Sequence, residues 1–271
     1  MIQSAVTINL IESMSAGPWI FWHHLEESLK KAAALGFDGV ELFTASGADV
    51  DAGYLRQQLD HYGLGLAAVG TGAGKVMHGL TLTDPDAGIR QKAMAFISEM
   101  ILFGAHFGAP AIIGSMQGNV LPGGNREQTL EWLVQGLETL QKTARDHGVM
   151  LIYEPLNRYE TNLLNTLKEG SEFLKKNDLN NVKLLADLFH MNIEEDSLPK
   201  IILECRDYIG HVHFADSNRK PMGFGHTDLP PIAAALKEIS YSGYVSAEAF
   251  PWPDPEAAAA QTINAFRKYF R

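Results

Sequence analysis

Short apolar runs recur along the chain, each followed by a longer stretch in which apolar residues return every three or four positions. Eight of these runs read as strands: residues 5–11, 39–43, 64–69, 111–114, 151–154, 182–187, 209–214 and 244–248. Most are continuously apolar, the pattern of parallel strands covered on both faces. The helical stretches between them have legible ends. Leu25, Leu29, Ala32 and Ala33 form a stripe that stops at Gly36, a residue suited to a left-handed C-terminal cap. Asp84-Pro85 predicts the start of a helix that runs through Met94, Ile97 and Ile101 to about Phe107. Leu130, Leu133, Val134, Leu137 and Leu140 mark a helix ending near Gly148, and Asp254-Pro255 opens the last one.

Eight βα units with no Pro/Ser-rich linker predict one α/β domain over residues 1–271, a single (β/α)8 TIM barrel. An open doubly wound sheet is the alternative. An apolar fraction of 46% is enough for the core such a barrel needs. The net charge of −10 argues against a nucleic-acid partner, since neutralising phosphates takes clustered Lys and Arg. It leaves room for a small anionic substrate held by a local basic pocket. The single Cys205 rules out an intrachain disulfide and suits a reducing compartment. No signal-peptide pattern opens the sequence and no apolar run reaches the ~18 residues of a membrane span, so a cytoplasmic protein is expected.

Several features tempt a functional reading and do not sustain it. Gly70-Thr71-Gly72-Ala73-Gly74-Lys75 lacks the Walker spacing, because Val69 and Val76 stand where Gly and Ser/Thr belong. A flexible βα loop over the barrel mouth is expected instead. His23, His24, His61, His106 and His147 fall at helix ends and are read as surface or capping residues. Pro18, Trp19, Phe21 and Trp22 serve either to pack the first loop on the rim or to wall a substrate pocket.

The chemistry gathers at the ends of four successive strands: Glu154, Asp187, His213 and Glu248. A parallel barrel places its active site at those ends. His211 and His213 are two apart on a strand and face the same side, here the interior. Asp187 is either a ligand or a helix N-cap, and Glu154 needs a cation partner, either Arg158 or a metal. Three carboxylates with one imidazole suit Mn²⁺ or Mg²⁺, with Co²⁺ as a substitute, whereas a Zn²⁺ site prefers more His or Cys. Such an ion can hold two adjacent oxygens of a sugar and polarise its carbonyl, so that a nearby carboxylate removes the proton beside it. His190 lies just past the sixth strand, and Asp216 and Arg219 lie in the loop after the seventh.

These residues resemble the xylose-isomerase-like barrel superfamily, and within it the D-tagatose and D-psicose (ketose) 3-epimerases. The resemblance covers most of the chain and is most specific from Glu154 onward. It rests on Asn157-Arg158-Tyr159-Glu160, Phe189-His190-Met191-Asn192-Ile193-Glu194-Glu195 and Asn218-Arg219, with Thr83-Asp84-Pro85-Asp86 and Gly108-Ala109-Pro110 in support. It implies a metal held by Glu154, Asp187, His213 and Glu248. Glu154 and Glu248 would be the acid/base pair, moving a proton at carbon 3 through a cis-enediolate. Glu160, His190 and Arg219 would bind the substrate, and the chain would form a homodimer or homotetramer. Asp216 stands where those epimerases usually carry Glu, and residues 114–118 replace their aromatic stretch. Both departures resemble broader sugar isomerases, including hydroxypyruvate isomerase and aldose–ketose isomerases, which are the competing reading. A nuclease related to endonuclease IV is disfavoured by the few histidines and the acidic charge. A non-enzymatic sugar-binding module is the last alternative.

Overall fold

The structure, a computed structural model, describes residues Met1–Arg271. Its strands are β1 (Gln3–Asn9), β2 (Phe21–Trp22), β3 (Gly39–Phe43), β4 (Gly65–Gly70), β5 (Ala111–Ile113), β6 (Leu151–Tyr153), β7 (Val182–Asp187), β8 (Ile209–His213) and β9 (Tyr244–Ala247). All pair in parallel, and β1 pairs with β9 as well as with β3, so eight of them close into a barrel with helices between. This is the single (β/α)8 barrel expected, and the open sheet is excluded.

The ninth strand, β2, is not legible as a separate apolar run. On one edge of β1, β3 pairs along Ala5–Asn9, while β9 pairs only with Gln3–Val6. The vacant stretch of the other edge, Ile8 and Asn9, is taken by Phe21 and Trp22. The first loop therefore repairs the barrel wall at the mouth. Phe21 packs into the core as a result.

The helices cover the barrel where their apolar stripes predict. In α1 (Leu25–Leu35), Gly36 ends the helix at φ 80°, a left-handed conformation that costs glycine nothing. In α5 (Arg126–Asp146), Leu133, Leu137, Leu140 and Ala144 are fully buried at helical spacing. Each such leucine stabilises the fold by roughly 1.5–3 kcal/mol. The short α3 (Ala73–His78) lies where a flexible loop was expected. Thr71 Oγ1 donates to Ile112 O at 2.7 Å, which pins the segment to β5 and starts the helix directly behind it. The long α4 (Ala87–Ala105) starts later than Asp84-Pro85 suggests. Asp84 spends its carboxylate on the Asp86 amide (2.8 Å), and Asp86 in turn caps Gly88 (2.6 Å). The last helix, α10 (Pro255–Phe270), is capped by Asp254 as predicted. No helix is long and apolar enough to cross a membrane.

Side chains alternate along each strand, and that parity sets the barrel's contents. One interior layer is apolar on one side, where Ala68, Ile112, Ile152 and Leu185 pack together. The opposite side holds Thr7, Glu41, His211 and Ser246, all buried and polar. Two residues further toward the mouth, the same parity presents Glu154, Asp187, His213 and Glu248 inward.

Candidate metal centre and active-site pocket

Glu154 directly follows β6, Asp187 ends β7, His213 ends β8 and Glu248 directly follows β9. One ligand atom from each of the four lies within 4.8 Å of all the others. His213 Nδ1 is 3.3 Å from Asp187 Oδ2, 3.6 Å from Glu154 Oε1 and 3.8 Å from Glu248 Oε2. Asp187, His213 and Glu154 are buried, while Glu248 opens onto the cleft.

The donors fit a divalent cation. Glu154 Oε1 is buried without any hydrogen-bond partner, a costly state for a carboxylate that lacks a counter-charge. Burial, helped by the charge of Glu248, pushes the Glu154 carboxyl above its usual range despite the pull of His213. Burial opposes charge on His213 as well, yet Glu41, Asp187 and Glu154 together hold its pKa well above the usual imidazole value. The cluster attracts positive charge, and a hard ion meets that demand better than one imidazolium proton.

Asp187 is the helix N-cap the sequence offered, and its second oxygen remains turned toward the cluster. Its Oδ1 caps α7 (Leu188–Glu194), accepting from Phe189 N at 2.7 Å and His190 N at 3.2 Å, while Oδ2 faces His213. Arg158 is not the partner of Glu154, because it pairs with Glu194 at 2.9 Å on the surface.

Of the remaining predicted residues, Glu160 and Arg219 line the same cleft, and His190 is buried against Glu154. His190 Nδ1 lies 2.7 Å from the Asn157 side-chain amide, whose other hydrogen goes to Glu160 Oε1 at 3.1 Å. With Nδ1 accepting, the imidazole proton sits on Nε2. That atom is buried, has no partner and lies 3.7 Å from Glu154 Oε1. Arg219 Nη2 donates to Glu248 Oε2 at 2.6 Å, Nη1 reaches Glu160 Oε1 at 3.4 Å, and the guanidinium lies 4.9 Å from the Phe189 ring centre. Asp216, by contrast, is a loop staple. It is buried and accepts from the amides of Ser217, Gly223, Gly225 and Thr227 at 2.7–3.0 Å.

The pocket's outer wall comes from the first half of the chain: Pro18, Trp19, Phe43, Val76 and Ser115. Trp19 thus both packs on Phe43, ring centres 4.4 Å apart, and faces the cleft. Gln117 turns inward, donating to the carbonyls of Gly114 and Glu154 at 3.0 and 2.9 Å and accepting from Tyr153 Oη. At Gly114 a Cβ would collide with Glu154 Oε2, so the missing side chain makes room for that carboxylate. Glu41 escaped the sequence reading, and Asn157 figures there only as part of its string, without a role. The only signal for Glu41 was a charge in the middle of an apolar strand.

A sequence model of the family described as xylose isomerase-like TIM barrel matches residues 29–269. The chain belongs to the xylose isomerase-like TIM barrel family. Within that family it is 33% identical over 229 residues to a D-psicose 3-epimerase of Ruminiclostridium cellulolyticum, covering 82% of this chain and 77% of the relative. It is 39% identical over 109 residues to the 3-dehydro-D-guloside 4-epimerase of Escherichia coli, covering 40% of this chain and 42% of that protein. A solved L-ribulose 3-epimerase superposes with a TM-score of 0.83 at 26% identity, over 99% of this chain and 94% of the other. By this kinship the xylose isomerase-like barrel described here is an enzyme of the isomerase class.

Proposed function

We propose that the chain is a divalent-metal-dependent epimerase that inverts carbon 3 of a free ketose. The observation that carries this reading is the placement of two glutamates at opposite ends of one four-strand arc. Glu154 follows β6 and Glu248 follows β9, with the Asp187 and His213 strands between them. A sugar seated over the arc offers one face to each glutamate.

Glu154, Asp187, His213 and Glu248 hold the ion, with Mn²⁺ the first choice and Mg²⁺ or Co²⁺ as substitutes, because the set is mostly carboxylate. When bound, the ion supplies Lewis acidity that makes the proton beside a sugar carbonyl easier to remove. One glutamate takes the carbon-3 proton, and the other returns a proton to the opposite face of the enediolate. Which of them acts first depends on the epimer supplied. Each transfer of this kind is worth about 10²–10⁴ in rate. Arg219 orients the Glu248 carboxylate through the 2.6 Å contact and presents its remaining donors to substrate oxygens. His190 offers its Nε2–H to the sugar, and Glu160 accepts a hydroxyl at the same end. Trp19 and Phe43 shelter the reacting carbons from water.

Incubation of the metal-loaded protein with D-psicose, D-tagatose and L-ribulose in deuterated water is expected to place deuterium at carbon 3. Label confined to carbon 1 overturns this in favour of an aldose–ketose or hydroxypyruvate isomerase. A second reading, epimerisation at carbon 4 of a 3-keto glycoside, is favoured by the local identity to the Escherichia coli 4-epimerase. The carbonyl then sits at carbon 3, the same glutamates act one carbon further on, and the label appears at carbon 4. A cytoplasmic location and assembly as a homodimer or homotetramer complete the proposal, with light scattering as the check on assembly.

A further inference from the structure

The four-residue cluster uses only one nitrogen of His213. Its Nδ1 faces Asp187, Glu154 and Glu248, whereas its Nε2 lies 3.1 Å from Glu41 Oε1. The second oxygen of Glu41 lies 2.8 Å from His211 Nε2. All three side chains are buried. Glu41 stands on β3 and the histidines on β8, with β1 and β9 between them around the wall. The contact therefore crosses the barrel interior, immediately below the cluster.

A charge at that depth is an expensive filler. The other side of the same layer is packed with Ala68, Ile112, Ile152 and Leu185, and apolar side chains of similar volume generally serve as well or better for stability. What a carboxylate does that an apolar group cannot is accept a proton from Nε2. An imidazole that ligates through Nδ1 must carry its proton on Nε2, and an acceptor there fixes both tautomer and ring orientation.

We propose that Glu41 is the positioning residue of the metal centre. It holds His213 with Nε2 protonated, so that Nδ1 presents its lone pair to the ion, and His211 holds Glu41 in place. This rests on the metal-dependent reading above. Glu41, His211 and His213 also lie close enough together to be a cation set of their own. The direct 2.8 and 3.1 Å contacts use those atoms on one another instead.

The test is calorimetric titration of the full-length, metal-stripped protein with Mn²⁺, for wild type and E41Q. The glutamine is isosteric, but it can accept from only one imidazole while its amide donates toward the other. Wild type is expected to bind one ion, and E41Q to bind it about 10–100-fold more weakly. At saturating Mn²⁺ the KM for the sugar should be unchanged and kcat should recover. Should E41Q not fold, H211N cuts only the outer contact and must still weaken Mn²⁺. An E41Q protein that melts earlier but binds Mn²⁺ as wild type does overturns the proposal in favour of a packing role. Two ions in wild type and one in E41Q overturn it in favour of a separate site. No ion bound by wild type removes the metal reading itself, a different outcome from either.

Discussion

Arg219 sits in the left-handed region at φ 58°, an uncommon conformation for a residue with a branched polar load. The turn that produces it aims one guanidinium at Glu248, Glu160 and the face of Phe189 together. A lysine reaches one of these partners, not all three. R219K is therefore expected to lower kcat/KM by roughly 10–100-fold, the worth of one charge-assisted hydrogen bond at about 1.5–3 kcal/mol. An unchanged kcat/KM in steady-state assays removes Arg219 from the site. At this scale the sequence was most informative where a polar residue closed an apolar run. Glu154, Asp187, His213 and Glu248 each do so, and strand parity turns them inward. Glu41 has the same parity but lies in mid-strand, and its partners stand on the far side of the barrel, a relation no local pattern encodes. Asn157 was visible within its string, yet its tie between Glu160 and His190 depends on a turn that spacing alone does not specify.

Among the connecting segments, the one after β8 shows how a loop becomes a fixed part of the site. Four backbone amides converge on Asp216, and a Cβ at Gly225 would collide with its Oδ1. Burial opposes charge on this carboxyl, but the amides of Thr227, Gly225 and Ser217, with the Thr227 hydroxyl, hold its pKa below the ordinary 3.8. A carboxyl with a lowered folded-state pKa stabilises the fold fully above its unfolded value and loses that contribution as the pH falls through the folded one. D216N should cost about 1–3 kcal/mol at neutral pH, because its amide nitrogen would confront backbone donors. The gap in melting temperature from wild type should close below pH 3.8, and a gap independent of pH contradicts the assignment. Element by element, strands and helix caps that depend on near neighbours were readable, as at Gly36 and Asp254. The helix after Asp84 was misplaced because two aspartates flank one proline, and only the second caps it. Strand β2 was missed because its role is to complete an edge left by β9, a long-range demand.

For the molecule as a whole, the cost of gathering so many acids in one barrel mouth sets the largest expected response. Binding an ion only in the folded state adds about 2.7 kcal/mol at a hundred times its dissociation constant. For a chain of this size that corresponds to a rise in melting temperature of roughly 5–10 °C. Mn²⁺ should produce this rise, and EDTA should reverse it along with activity. A melting curve indifferent to Mn²⁺, Mg²⁺ and Co²⁺ leaves the acidic cluster without its proposed ion.

Barrel closure through β1 and β9 brings the two halves of the chain together around one cavity without mixing their duties. Every residue assigned to the metal or to proton transfer lies between Glu154 and Glu248, whereas the outer wall, from Pro18 to Ser115, precedes them all. Glu41 is the exception, the carboxylate of the early half that reaches across to His213 in the late one. Substitutions along that outer wall can thus reshape the cleft while the four-residue cluster stays intact, provided that Glu41 and Gly114 are kept.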